Sequence, residues 1–270
     1  MNSLYNEFGL PLPPTDLMVL VALTLARTVP ALFMNPFLGG QLVSTRIKMG
    51  LAMAFTIILL PMLFAIDKPV PQGVPFFFLM IKEVVIGVTI GFITSVVFLG
   101  FGAAGRLVDT QRGANMAESM VYQLKERASV FGNFYVQVAI VVFLILDGHH
   151  LFISAFIRSF EILPVWEFPN FTGPGEPIVT DLARLTADLF TIAIQLGAPA
   201  VITLFVTDVS FGIVNRASPQ VNVFNLSQPV KMFLGIVMIV IVLRILIDQM
   251  QVWMGTMLAF LGKAIGYLGQ

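Results

Sequence analysis

Four stretches of this chain carry no charge at all: Met49–Ile66, Val84–Gly105, Ala128–Leu146 and Leu189–Thr207. A helix that crosses a bilayer needs about 20 largely apolar residues. Two further stretches, Leu17–Gly40 and Met232–Ile247, are each interrupted by one charge, Arg27 and Arg244 respectively. Hydropathy therefore predicts six spans, or three helical hairpins. Nothing alternates at the period of two that the strands of a β-barrel require. A weaker amphipathic run, Gln249–Gly262, predicts a further short helix over 249–268, and His149–Ile157 prolongs the fourth stretch beyond "LDG".

Composition agrees. The chain is 57% hydrophobic and only 11% charged, where a soluble domain carries about 25%. The expected fold class is all-α: an integral membrane chain of helical hairpins with kinked helices. Short connections between the runs predict one domain over residues 1–270. Basic and acidic residues balance at 15 each, so the chain lacks the basic excess that nucleic acid binding needs. With no cysteine, disulfides, thiol catalysis and Cys-ligated metals are excluded.

The first residues, "MNSLYNEFGLPLPPTD", lack a basic n-region and a small-residue cleavage site, and are not expected to act as a secretory signal. "PPTD" predicts a helix start with Thr15 or Asp16 as cap. Thr180 and Asp181 predict the same after the long connection Arg158–Asp181. Pro30, Pro61 and Pro199 are expected to break the helices that contain them. The glycines of "GVTIGF" and "GFGAAG" suit close helix approach. Eight basic residues fall in the odd connections against four assigned to the other side, Lys68, Arg158, Arg184 and Lys263, which places the odd connections in the cytoplasm and both termini outside.

Arg27, Asp147, Asp208 and Arg244 lie within or at the edges of apolar runs, where a charge is costly and needs a partner or a function. Two carboxylates are too few for a proton relay. The adjacent His149 and His150 point different ways on a helix and make a poor metal pair. No P-loop, HExxH or serine elbow is present, so no catalytic residue, cofactor or metal site is expected. The connection Gly105–Ser129 combines Gly113, Asn115, Met116, Met120 and Tyr122 with seven charges, and methionine makes soft, deformable contacts.

Three stretches together resemble one family. "GIVNRASPQVNVFNLSQPVK" (Gly212–Lys231) carries an N-R-x-x-P-Q-x-x-x-F pattern through Asn215, Arg216, Pro219, Gln220 and Phe224. "VDTQRGANMA" (Val108–Ala117) resembles a D-x-x-R-G loop. "LDGHHLFISAFIRSFEILPV" (Leu146–Val165) resembles a hairpin with Gly148, His149, Ser159 and Leu163-Pro164. Their order and spacing are similar to those of the FliR/SctT family, the export-gate protein of type III secretion in flagella and injectisomes.

The resemblance implies a non-enzymatic subunit in the bacterial inner membrane, within the basal body. One copy would join FliP/SctR-like and FliQ/SctS-like subunits in a closed helical cone held largely above the membrane plane. FlhB/SctU-like and FlhA/SctV-like proteins would lie beside it, and unfolded substrate proteins would pass through the centre. It also implies a plug loop over about Arg112–Glu126, including Gly113, Asn115, Met116 and Met120. "QRG" and "LSQPVK" look closer to injectisome members. Against this stands a six-span transporter or small channel with a polar midplane site. A structural assembly subunit without pore contact is the third reading. On the gate reading the polar stretch at Gly212–Lys231 becomes intelligible. Pro219 and Pro229 fix a bent connection, and Asn215, Gln220 and Asn222 hydrogen-bond neighbouring subunits, because irregular backbone at membrane depth must face protein or water.

Overall fold

The computed structural model describes residues 14–40, 43–64, 73–113, 129–168, 176–220 and 222–268, and every regular element among them is a helix. In chain order these are α1 (Pro14–Met34), α2 (Pro36–Gly39), α3 (Thr45–Phe64), α4 (Val74–Gln111), α5 (Val130–Ile145), α6 (Gly148–Ile162), α7 (Glu176–Ala217) and α8 (Val223–Leu268). Five of them are long and apolar enough to cross a membrane, and α5 with α6, bent by 75° at the break between them, passes the same test only as a pair, as a broken span or a re-entrant loop. The six apolar runs of the sequence thus each have a counterpart.

Helix ends differ from expectation in informative ways. Helix α1 begins at Pro14, so Thr15 and Asp16 lie in its first turn rather than capping it. Proline suits that position because its missing N–H would have no partner anyway. Likewise α7 begins at Glu176, ahead of Thr180 and Asp181. Pro30, Pro61 and Pro199 do not end their helices, and Pro229 lies inside α8 rather than in a bend before it. Beside one of them, the Thr203 hydroxyl donates to the Pro199 carbonyl (2.9 Å). The breaks fall elsewhere. Asn35 separates α1 from α2 and caps the latter, its side chain accepting from the Phe37 N–H. Asp147 separates α5 from α6 in a left-handed conformation (φ 56°), which a non-glycine residue adopts mainly in turns. Residues 249–268 are no separate helix: α8 runs through them without interruption, since their amphipathic pattern continues the backbone ladder already in place.

The residues fall into two compact units. The first comprises Met1–Ser95, His149–Leu182 and Met257–Gln270. In it α1 packs on α3, and the first half of α4 presses on α1. A Cβ at Gly87 would overlap the Arg27 carbonyl, and one at Gly91 would crowd Pro30, Ala31 and Met34. Phe152, Phe156 and Phe160 recur every four residues on α6 and are all buried. Phe37 meets Phe152 edge-on (5.4 Å between centroids), and Phe55 meets Phe156 similarly (6.5 Å). The second unit comprises Val96–Gly148 and Ala183–Thr256. Its core holds Phe98, Phe101 and Phe143, with Phe98 edge-on to Phe143 at 5.6 Å. Gly100 seats Ile192, and Gly197 lies against Ala104 and Leu107. Lipid tails are as apolar as leucine, so close packing at small residues, more than exclusion of water, holds such helices together.

Candidate functional site

In the first unit the charge at Arg27 is completely buried. All five of its N–H groups are used. Nε and Nη2 clasp the two carboxylate oxygens of Glu83, Nη1 donates to Ser159 O (2.7 Å) and Ser159 Oγ (3.2 Å), and Nη2 donates to Leu163 O (2.7 Å). The guanidinium also lies over the Phe160 ring, 4.1 Å from its centroid. Lys82 contacts Glu83 Oε1 (2.7 Å) and donates to Pro164 O and Glu167 O (both 2.8 Å). Two cations therefore meet carbonyls in the last turn of α6 and just beyond it: Ser159 O, which also accepts from the Leu163 N–H (3.0 Å), and the carbonyls of Leu163, Pro164 and Glu167, at the negative dipole end of the helix. This accounts for the S…L-P part of the hairpin pattern: Ser159, Leu163 and Pro164 supply oxygen atoms that Arg27 and Lys82 bind.

The second unit holds a cluster around Asp109, which is 4% exposed. Its carboxylate accepts from Arg112 Nε (2.8 Å), from the Ser129 hydroxyl and from the Phe131 N–H (3.0 Å). Arg112 is buried and stacks on Phe131, 3.9 Å from the ring centroid. Ser129 also caps α5, accepting from the Gly132 N–H (2.9 Å). Gly113 takes a left-handed φ of 77° against the side chain of Gln228. Of the expected plug-loop residues, Arg112 and Gly113 are described; Asn115, Met116 and Met120 lie outside the described residues.

The assembly motif lies on the surface of this chain. Asn215, Arg216, Pro219, Gln220 and Phe224 are all exposed. Most of the polar stretch is helical, since α7 reaches Ala217 and α8 starts at Val223, where Asn222 caps by accepting from the Asn225 N–H (3.3 Å). Between them Ser218, Pro219, Gln220 and Asn222 are non-helical. Around this turn Asn215, Pro219, Gln220 and Phe224, with Asp208 and Ser227, line an open depression of about 560 Å³. Asp208 pairs with Lys231 at 2.7 Å. Asp147 and Arg244, expected to be buried charges, are exposed on this chain. Asp147 occupies the turn between two helices, and Arg244 lies on an α8 face that none of the described residues covers.

Sequence reasoning missed Glu83, Lys82, Asp109 and Ser129. The opposite charges of "IKEV" immediately before an uncharged run were the available signal for the first pair. Asp109 had a signal as the first residue of the D-x-x-R-G loop, three residues before Arg112, but nothing in that pattern pointed to Ser129.

Long apolar helices with small-residue crossings, buried charge clusters and an uncovered polar turn define a polytopic helical membrane protein built to join others. The chain belongs to the family "Bacterial export proteins, family 1", whose sequence profile matches residues 18–257. It is similar to the flagellar biosynthetic protein FliR of Bacillus subtilis, at 28% identity over 91% of this chain and 90% of the relative. The secretion system apparatus protein SsaT of Salmonella typhimurium matches at 28% over 83% and 86% respectively. The surface presentation of antigens protein SpaR of Shigella sonnei matches at 28% over 80% and 81%. The FliR/SctT resemblance read from the motifs thus extends over most of the chain, and the protein is a component of a bacterial inner-membrane export apparatus.

Proposed function

We propose that this chain is a subunit of the inner-membrane export gate of a type III secretion system and forms part of the channel through which unfolded proteins cross. The match of the export family across residues 18–257 carries this reading. The surface supports it. The most apolar stretches of α7 and α8 are only 33% and 28% buried within the chain, against 67% for α4. Such faces need lipid or other subunits to cover them. The partners are FliP/SctR-like and FliQ/SctS-like subunits, with FlhB/SctU-like and FlhA/SctV-like proteins beside them. The exposed motif Asn215–Phe224 is the contact to those neighbours, and the loop over Arg112–Glu126 seals the channel. The chain performs no chemistry of its own.

Co-expression with the neighbouring export genes and purification in mild detergent tests the assignment. One copy of this chain should emerge with several smaller hydrophobic subunits. A lone monomer or a symmetric homodimer would instead indicate a transporter.

A further inference from the structure

Helix α8 carries four charges, Lys231, Arg244, Asp248 and Lys263. Its longest uncharged stretches, 232–243 and 249–262, each extend about 20 Å at 1.5 Å per residue, against a hydrocarbon core of about 30 Å. A span of α8 therefore encloses charge wherever it is placed. Arg244 and Asp248 lie one turn apart and are both exposed, and neither makes a hydrogen bond or ion pair with the described residues. That they do not pair with each other agrees with their order, since a cation ahead of a carboxylate is the weaker arrangement at this spacing. Val240, Ile247 and Gln251 share their face, because residues three and four apart stack along a helix. Beside it α5 and α8 leave a groove of about 350 Å³, with Gln137, Val138, Val141 and Ile145 of α5 and Ile247 and Gln251 of α8 in its lining. Gln137 and Gln251 are also exposed and have no hydrogen-bond partner among the described residues. All of these residues belong to the second unit.

We propose that Arg244, Asp248 and the adjoining groove form a docking face for one helix of a neighbouring export-apparatus subunit, a helix that carries a carboxylate and a cation one turn apart. The proposal rests on the reading of the chain as an export-gate subunit and adds a contact separate from Asn215–Phe224. Lipid is a poor occupant, because a charge facing hydrocarbon is costly. Water is a poor one too: Val240, Ile241 and Ile245, which flank the charges, are 69%, 66% and 57% exposed. A covering protein helix suits both the apolar surroundings and the charges. Charge complementarity sets its chemistry, with a carboxylate opposite Arg244 and a cation opposite Asp248, about 6 Å apart along the axis. Gln137 and Gln251 then hydrogen-bond a polar side chain of the same helix, as glutamines do between apolar helices.

The test exchanges the two charges, combining Arg244→Asp with Asp248→Arg in the chain co-expressed with its partner subunits. The exchange keeps composition, hydropathy and spacing and reverses only the order of charge. Both residues are exposed, so the thermal midpoint of the isolated chain should not move. Recovery with the partner subunits should fall roughly tenfold or more, since each charge then meets its like. A second measurement reads coverage directly. The chain has no cysteine, so Val240→Cys supplies a single thiol on this face. Its maleimide labelling in mild detergent should slow roughly tenfold from the isolated chain to the complex, as the partner helix covers it. Equal recovery of the exchanged and original chains overturns the inference, and blocked secretion in that case would assign the face to the channel. Equal labelling of the isolated chain and the complex overturns it as well. Should the exchanged chain fail to fold, the labelling comparison decides. An unaltered chain recovered without any partner removes the export-gate reading and this contact with it, whereas equal recovery removes the contact alone.

Discussion

Arg27 and Asp109 are both charges withdrawn from solvent, and each gathers partners from two helices. They differ in what those partners are. Arg27 spends every donor on Glu83 and on the carbonyls at the end of α6, in a unit where Arg27, Glu83 and Ser159 are all wholly buried. Asp109 binds the two ends of a single connecting segment, and one of its partners, Ser129, is only part-buried. A closed network resists change because any loss leaves a charge in a low-dielectric place with nothing to replace its partner. The Asp109 cluster can exchange a partner for water at its open side. The first arrangement suits a scaffold and the second suits an attachment that has to give.

The strongest way to break this comparison is Glu83→Gln. It leaves Arg27 and Lys82 facing a neutral amide, and unpairing a buried ion of this kind costs about 3–5 kcal/mol. Recovery of the complex should collapse. Replacing Arg27 and Glu83 together by methionine should restore only part of the loss. A simple ion pair is often replaceable by apolar residues, but here the Leu163 carbonyl would lose the Arg27 donor, the Ser159 carbonyl would keep only the Leu163 N–H, and the Lys82 ammonium would lose its carboxylate. Full recovery in the double variant would show that the α6 carbonyls are not part of the network.

Two glycines sharpen the contrast at a smaller scale. Gly87→Ala pushes against the backbone of Arg27, and Gly105→Ala pushes against the backbone of Phe131. Overpacking typically costs about 1–3 kcal/mol. Both variants should lower the thermal midpoint of the purified complex. Only Gly105→Ala should also speed hydrogen exchange of the Phe131 N–H, because only there does the shift act on the Asp109 cluster. Equal exchange at Phe131 in the two variants would erase the distinction between scaffold and attachment.

Some of this was legible in the sequence. Arg27 stood out as the lone charge in an apolar run, and the six runs foretold five helices long enough to span and one bent pair. Glu83 was hidden because hydropathy treats charges at the edge of a run as its boundary. The helix in fact continues ten residues before Val84, from Val74 to Gln111 as a whole, since a backbone ladder does not stop where hydrophobicity falls. Proline misled in the other direction: Pro30, Pro61, Pro199 and Pro229 all stay within helices. The actual breaks, at Asn35 and Asp147, came from polar residues suited to caps and left-handed turns. Burial of Asp147 and Arg244 was beyond reach, because a charge within an apolar run can equally mark a face that other subunits cover.

Arg216 offers a further test of that last point. It is exposed and makes no hydrogen bond or ion pair with the described residues. Arg216→Ala should therefore leave the stability of the isolated chain unchanged. In the complex it should weaken assembly by about 1–2 kcal/mol, as expected for an interfacial arginine. The readout is the fraction of chain recovered with its partner subunits. Normal recovery with blocked secretion would move Arg216 from the interface to the channel.

The smallest expected effect lies at Asp208 and Lys231, a pair that belongs to neither extreme. The Lys231 side chain is only 10% exposed while that of Asp208 is 40% exposed. Exposed ion pairs contribute at most about 1 kcal/mol, so neither substitution should prevent assembly. The two should nevertheless differ. Asp208→Asn leaves an ammonium largely enclosed with a weaker acceptor, and should cost about 1 kcal/mol. Lys231→Met keeps the apolar stem in place and frees a carboxylate that already faces the open depression near Asn215 and Gln220. It should cost no more than about 0.5 kcal/mol. Thermal midpoints of the two variants, measured in the same complex, give the order. If Lys231→Met proved the more damaging, the freed Asp208 carboxylate would be the group left enclosed. The depression would then be closed by a neighbouring subunit, and Asp208 would be a charge that assembly buries, where Arg27 is one that the fold of the chain itself buries.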